Sequence, residues 1–263
     1  VLGTKCVMTV RLGEVVSFLD STLEIGKCRD YGPNGLQVEG SPEVDRIVTA
    51  VSATAEVFER AIALEADLIV VHHGLIWGGG MDRVTGTNAQ RLRQLLTNSV
   101  SLAAYHLPLD AHPRLGNNAG LADAIGLQAN RSNFGEVRGH ELGLLGSWPT
   151  AIHRDEAISR IAEGVGGQPR FVFPYGPEQV RTVGLCTGAA SDLMEAAAHQ
   201  GCDLYLTGEL SERSAALAKE LQITWVAAGH HATEVFGVLR LVDELRLKFA
   251  DLQVEYVDVP TPV

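Results

Sequence analysis

One rhythm, run through twice, constrains this chain more than any other feature. In residues 46–105 a short apolar run (46–51) is followed by an amphipathic stretch (54–65), a second apolar run (67–71), another amphipathic stretch (88–97) and a third apolar run (100–105). Short apolar runs bounded by turn residues read as buried strands, and apolar residues spaced three and four apart read as helices. Residues 180–228 repeat the order, with strands at 180–186, 203–207 and 223–228 and helices at 190–200 and 212–221. Strands that alternate with helices are joined by crossovers, which make a mainly parallel sheet.

The repeat reaches individual residues. Arg46-Ile47-Val48 opens the first unit as Arg181-Thr182-Val183 opens the second, and Ala66-Asp67-Leu68-Ile69-Val70 stands where Cys202-Asp203-Leu204-Tyr205-Leu206 stands. Under that alignment His72 and His73 correspond to Gly208 and Glu209, while His106-x-x-x-Asp110 corresponds to His230-x-x-x-Glu234. The expected fold is α/β: two related β-α-β halves with mainly parallel sheets in a pseudo-twofold arrangement and a metal site between them. The first half is 1–127, a connector or small subdomain is 128–179, and the second half is 180–263. A helix at 12–25 and the loop Tyr31-Gly32-Pro33-Asn34-Gly35 precede the first unit. The connector carries a helix at 155–163 and a short strand at 171–173, and the chain closes with a helix at 233–249 and a strand at 253–257.

Histidines collect where the strands end, in Val71-His72-His73-Gly74, Tyr105-His106-Leu107-Pro108-Leu109-Asp110 and Gly229-His230-His231-Ala232-Thr233-Glu234. Open parallel sheets bind ligands beyond the carboxyl ends of their strands, and imidazole with carboxylate is a donor set for Zn, Fe, Mn, Ni or Co. Neighbours in a regular strand point to opposite faces, but at a strand end before Gly74 both imidazoles can serve one site, one for each of two metals. Asp110 then completes one metal and His230 the other. Glu234, a helical turn beyond His230, reaches both as a bridging carboxylate. Two such cations ~3.5–4 Å apart activate a hydroxide and stabilise a developing oxyanion. His106 is a further ligand, a group that orients Asp110, or an acid/base residue, and Glu209 is a candidate proton acceptor. His112, His140, His153 and His199 read as surface or loop residues, and His231 as packing beside the site. The Gly78-Gly79-Gly80 run reads as a mobile loop, with a lid in which Arg83 meets a substrate phosphate as the alternative.

Composition narrows the class. A formal net charge of −11 argues against a general nucleic-acid or anionic-membrane surface. The apolar runs are far shorter than the ~20 residues that cross a bilayer. The start of the chain lacks the layout of a secretory signal, with Met8 a candidate first residue, so a cytoplasmic protein is expected. Cys6, Cys28, Cys186 and Cys202 form no C-x-x-C pair and read as buried or reduced thiols. No G-x-x-x-x-G-K-[ST] or G-x-G-x-x-G is present, which disfavours P-loop and dinucleotide chemistry.

These histidine segments, together with Asp30-Tyr31-Gly32-Pro33-Asn34-Gly35-Leu36-Gln37, His112-Pro113, Gly116-Asn117-Asn118 and Thr207-Gly208-Glu209, resemble the dinuclear-metal-centre proteins called GTP cyclohydrolase 1 type 2 homologues, or NIF-three-like proteins. The resemblance spans nearly the whole chain. It implies a two-domain α/β protein assembled as a toroidal homohexamer, two divalent ions per chain on His72, His73, Asp110, His230 and Glu234, and metal-dependent opening of the GTP purine ring. The expected function is a dinuclear metal-dependent hydrolase of a small nucleotide-like substrate. The alternative is a non-enzymatic metal-binding scaffold or partner-binding ring, which has little need of the spare acid/base groups His106 and Glu209.

Overall fold

A computed structural model of the chain describes residues 9–81 and 83–262. Cys6 and Met8 lie outside the described residues. Two compact units form: residues 1–108 with 238–259, and residues 109–237 with 260–263.

In the first unit β1 (Val10–Arg11) leads into α1 (Leu12–Thr22), and β2 (Gly35–Val38) and β3 (Glu43–Val44) follow. Then comes the expected alternation: β4 (Arg46–Ser52), α2 (Ala55–Ala63), β5 (Leu68–His73), α3 (Gly86–Thr97) and β6 (Ser101–Ala104). Thr54 starts α2 by accepting the Val57 N–H on its hydroxyl at 3.2 Å, which satisfies a donor that the first helical turn leaves over. β4, β5 and β6 pair in parallel, and antiparallel β2 lies against β6. The central strands are buried along nearly their whole length, as strands covered on both faces must be. Phe58, Ile69, Leu95 and Leu102 centre the core.

In the second unit α4 (Leu107–Ala111), whose start belongs to the first, and α5 (Asn117–Ala124) precede a long hairpin of β7 (Ala129–Val137) and β8 (His140–His153). α6 (Arg154–Gly164), β9 (Phe171–Pro174), β10 (Gln179–Leu185), α7 (Met194–His199), β11 (Leu204–Thr207), α8 (Ser214–Glu220), β12 (Thr224–Ala227) and the start of α9 (His230–Lys248), whose residues from 238 on belong to the first unit, follow. β10, β11 and β12 pair in parallel, with β9 antiparallel on β12. Leu121, Trp148, Ile161 and Val226 lie in its core. The final strand β13 (Gln253–Tyr256) returns to the first sheet and pairs in parallel with β4.

The structure differs from the expectations in three respects. The stretch 128–179, expected as a connector or small subdomain, contributes strands to the second sheet: β8 pairs antiparallel with β10, and β7 with β8. That sheet, in the order β7-β8-β10-β11-β12-β9, is accordingly more antiparallel than parallel, whereas the first, in the order β13-β4-β5-β6-β2, is mainly parallel. The boundary expected at 127 also differs from the change of unit after Pro108.

Among the described residues no helix is long and apolar enough to cross a membrane. Cys28, Cys186 and Cys202 are not joined in disulfides.

Candidate metal centre

In the first unit β6 pairs with β5 only as far as Val71↔Ala104, while β4 continues alongside to Ser52↔His73. His72 and His73 therefore extend past the end of β6, before the chain turns at Gly74. Their rings do not diverge as neighbours in a regular strand would: the centroids are 4.5 Å apart. His106, just beyond β6, brings a third ring 5.0 Å from His72 and 5.6 Å from His73. One ligand atom from each of the three lies within 4.8 Å of the others.

Each ring is held at Nδ1. His72 Nδ1 is 2.9 Å from the Tyr105 carbonyl oxygen, which can only accept, so Nδ1 carries the proton and Nε2 the lone pair. His73 Nδ1 meets Ser52 Oγ at 3.0 Å. His106 Nδ1 donates to Asp30 Oδ1 at 2.8 Å, and the same carboxylate accepts from Leu107 N, Tyr31 N and Asn34 Nδ2. Burial pushes the Asp30 pKa up, but the hydrogen bond and charge of His106, with the bonds from Asn34 and Tyr31, outweigh it and hold the group at about 2.

The second unit gathers its own donors. His230 and Glu234 stand one turn apart at the start of α9, with Nε2 and Oε2 3.0 Å apart. His230 Nδ1 donates to Glu209 Oε1 at 2.5 Å. Glu209 is placed by the Gly188 carbonyl, which accepts from Glu209 N at 3.0 Å, Gly208 N at 2.8 Å and Thr207 Oγ1 at 3.0 Å. Gly188 itself has a φ of +67°, and a Cβ there would collide with Glu234 Oε1 and stand 3.1 Å from His230 Nε2. The space for these two side chains therefore depends on a missing side chain at 188. Asp110 is buried and accepts from Asn117 Nδ2 at 2.8 Å and Thr187 Oγ1 at 3.2 Å. Burial raises the thiol pKa of Cys186, and the nearby carboxylates of Asp110 and Glu234 raise it further.

These residues fit a divalent cation on the chemistry of the donor set. Buried carboxylates and imidazoles are ligands that Zn, Fe, Mn, Co and Ni share, and a partner at Nδ1 is the usual device for fixing such a ring. Glu209, expected as a proton acceptor, is bonded to His230, and His106 belongs with His72 and His73. His112 accepts Arg114 N and Leu115 N on Nδ1 and holds a turn, and His153 accepts Asp155 N at the start of α6. His231 is buried.

Several positioning residues were not assigned from sequence. Asp30, Asn34 and Gln37 of the early loop are among them: Asn34 Oδ1 accepts His106 N, and Gln37 Oε1 accepts Leu75 N and Ile76 N just after the paired histidines. Asn117 and Asn118 act similarly in the second unit, Asn118 accepting Thr187 N and donating to Leu142 O. The only sequence signal was their place in family-like stretches.

A family model described as Duf34/NIF3 (NGG1p interacting factor 3) matches residues 10–262. The GTP cyclohydrolase 1 type 2 homolog of Pseudomonas aeruginosa is 40% identical over 256 residues, covering 97% of this chain and 100% of its own. That of Archaeoglobus fulgidus is 40% identical over 252 residues, covering 96% and 99%. Among solved structures, the protein ybgI, described as of unknown function, matches with a TM-score of 0.89 at 38% identity, over 97% of this chain and 100% of that one. Reduced HcgD from Methanocaldococcus jannaschii matches with a TM-score of 0.84 at 24% identity, over 96% and 100%, a likeness of fold alone.

Proposed function

The chain belongs to the Duf34/NIF3 family, and from that premise we propose that it is a metal-dependent hydrolase of a small nucleotide-like substrate, with two divalent ions held by His72, His73, Asp110, His230 and Glu234. The observation that carries this reading is the common engagement of four imidazoles at Nδ1, by Tyr105 O, Ser52, Asp30 and Glu209, which fixes the orientation of each ring as the partners of metal-binding histidines do.

Divalent ions in such a donor set lower the pKa of water and offset negative charge that develops on the attacked group. Asp110 and Glu234, buried among hydrogen-bond donors and a histidine, supply the negative charge that retains the cations. Glu209 fixes the tautomer of His230. His106, held at Nδ1 by Asp30 beside His72 and His73, is the candidate acid/base or further ligand group.

The test is metal analysis of the chain purified without added metal, followed by nucleotide hydrolysis assays with Mn, Zn, Fe, Co or Ni. GTP is the first compound to try, since the relatives carry the name of a GTP cyclohydrolase. About two ions per chain are expected, with loss of both metal and turnover in His72→Ala and Glu234→Ala. A folded, metal-free wild type would sink the metal centre. A loaded protein that turns over no nucleotide would leave the scaffold reading in its place. Self-association into a six-chain ring belongs to the same proposal, and light scattering that returns a single 28.2 kDa chain would remove that part.

A further inference from the structure

Two exposed aromatic side chains stand beside the imidazole cluster of the first unit. Trp77 is 38% exposed and Tyr31 45%. The Trp77 ring lies 5.0 Å from that of His106, nearly perpendicular to it, and 6.2 Å from that of His73. Tyr31 lies 6.1 Å from His106 on another loop. The platform is fixed: Trp77 Nε1 donates to Gly74 O at 3.0 Å, and Gly78 N donates to Tyr31 O at 2.6 Å. A Cβ at Gly32 would stand 2.7 Å from Ile76 O and 3.3 Å from Trp77 Cα, so the two loops pack with no room for a side chain. Trp77 also forms a wall of an open cavity of about 800 Å³, shared with Leu75, Met81, Arg83, Thr85 and Asn88.

An exposed indole costs hydration of apolar surface, and most exposed aromatics are scattered singly. Here two stand beside a candidate metal centre, and Trp77, its indole fastened by a polar bond, lines a cavity that Arg83 also lines. We propose that Trp77 is the stacking platform for a planar aromatic ring of the ligand, with Arg83 meeting an anionic group of the same molecule. A ring laid on this indole lies next to His73 and His106, which joins the cavity to the chemistry. The inference rests on the proposed nucleotide-like substrate and names the side chains that select it. Trp77 makes the site favour a flat π system over a sugar phosphate alone, and Arg83 makes it favour a charged molecule over the neutral nucleoside.

Trp77 provides its own reporter. The chain has three tryptophans, and the other two, Trp148 and Trp225, are 1% and 0% exposed. Tryptophan emission is followed while GTP, guanosine or inorganic tripolyphosphate is titrated into metal-loaded and chelator-treated protein, with GTP affinity measured in parallel by equilibrium dialysis and bound metal by elemental analysis. GTP and guanosine should quench saturably and tripolyphosphate should not. Trp77→Ala should abolish the quenching and weaken GTP binding about 5- to 150-fold, the range for loss of one base–aromatic stack. Trp77→Phe should recover most of that affinity. Arg83→Gln should bring GTP down towards guanosine and leave guanosine unchanged. Bound metal should be the same in all three variants.

GTP binding without quenching, equal affinity in Trp77→Ala, or no saturable quenching by any probe would overturn the proposal. If Trp77→Ala fails to fold, Trp77→Phe and Arg83→Gln decide: unchanged discrimination between GTP and guanosine in the latter overturns it. A wild type that is quenched by GTP but holds no metal rejects the metal centre and leaves the stacking platform standing.

Discussion

Glu209 and Glu234 grip His230 from its two nitrogens, and this sets how the ring titrates in the metal-free protein. Burial pushes the imidazole pKa down, but Glu234 and Glu209 together pull it further up, to about 9 from an ordinary 6.5. A folded-state pKa above the unfolded one means that the protonated ring stabilises the fold fully below pH 6.5, and that this contribution is lost as pH rises through about 9. Melting of chelator-treated protein should show a Tm that falls across that window, with a shallower fall in Glu209→Gln; an identical profile in the variant would refute the assignment. A metal on Nε2 must displace the same proton, so metal affinity should strengthen with pH up to about 9 and binding should release protons, read by calorimetry in buffers of different ionisation heat. Gly188 gives a second prediction at this scale. Gly188→Ala forces a Cβ onto Glu234 Oε1 at a positive φ, so it should lose bound metal while costing the fold only about 1 kcal/mol or a little more. Wild-type metal content in that variant would show that Glu234 is not held there for a metal. Nothing in the sequence marks this glycine, because its importance comes from a ligand far along the chain.

At the scale of elements, one device recurs in both sheets. Asp67, at the start of β5, accepts the N–H groups of Asp45 and Arg46 on its side chain and that of Ser101 on its carbonyl. Asp203, at the start of β11, does the same for Arg181, Thr182 and Thr224. Each aspartate thus ties three parallel strands at their entry ends, where the ladder has not yet begun. Asp67→Ala and Asp203→Ala should each lower unfolding stability by ~1–3 kcal/mol, the cost of leaving backbone donors unsatisfied, with Asn at either position recovering part of it. Urea denaturation would check this, and a variant with an unchanged midpoint would remove the tie. Such repeated units were legible because burial on both faces makes their strands continuous apolar runs. The β7–β8 hairpin was not: Ala129–Val137 is largely polar with irregular burial, and its turn is Arg138-Gly139, whose φ values of +52° and +87° suit Asn-Gly far better than Arg-Gly. The ligand types could be read for a related reason. Histidines and carboxylates announce their chemistry, whereas Asp30, Ser52 and Asn117 act by bonding groups 76, 21 and 120 residues away, a separation that leaves no local pattern.

Over the whole molecule, the proposed metal centre bears on how buried acidic charge is stabilised. The chain carries a net charge of −11, and Asp110 and Glu234 keep their carboxylates only 5% and 3% exposed. Burying a carboxylate is unfavourable unless positive charge or donors compensate, and neutral groups such as Asn117 and Thr187 compensate less than a cation does. A divalent ion that binds only the folded chain therefore raises its stability by mass action, about 2.7 kcal/mol at a free concentration one hundred times Kd. For a protein of this size each kcal/mol moves the melting temperature by roughly 2–4 °C, so loaded and chelator-treated protein should differ by about 5–10 °C at that excess. His72→Ala and Glu234→Ala should each abolish most of the shift, because each removes one of the proposed ligands. Differential scanning calorimetry of the wild type and both variants, with and without metal, measures this directly. A wild-type shift that survives both substitutions would place the stabilising ion elsewhere on the chain and detach the carboxylates from metal binding altogether.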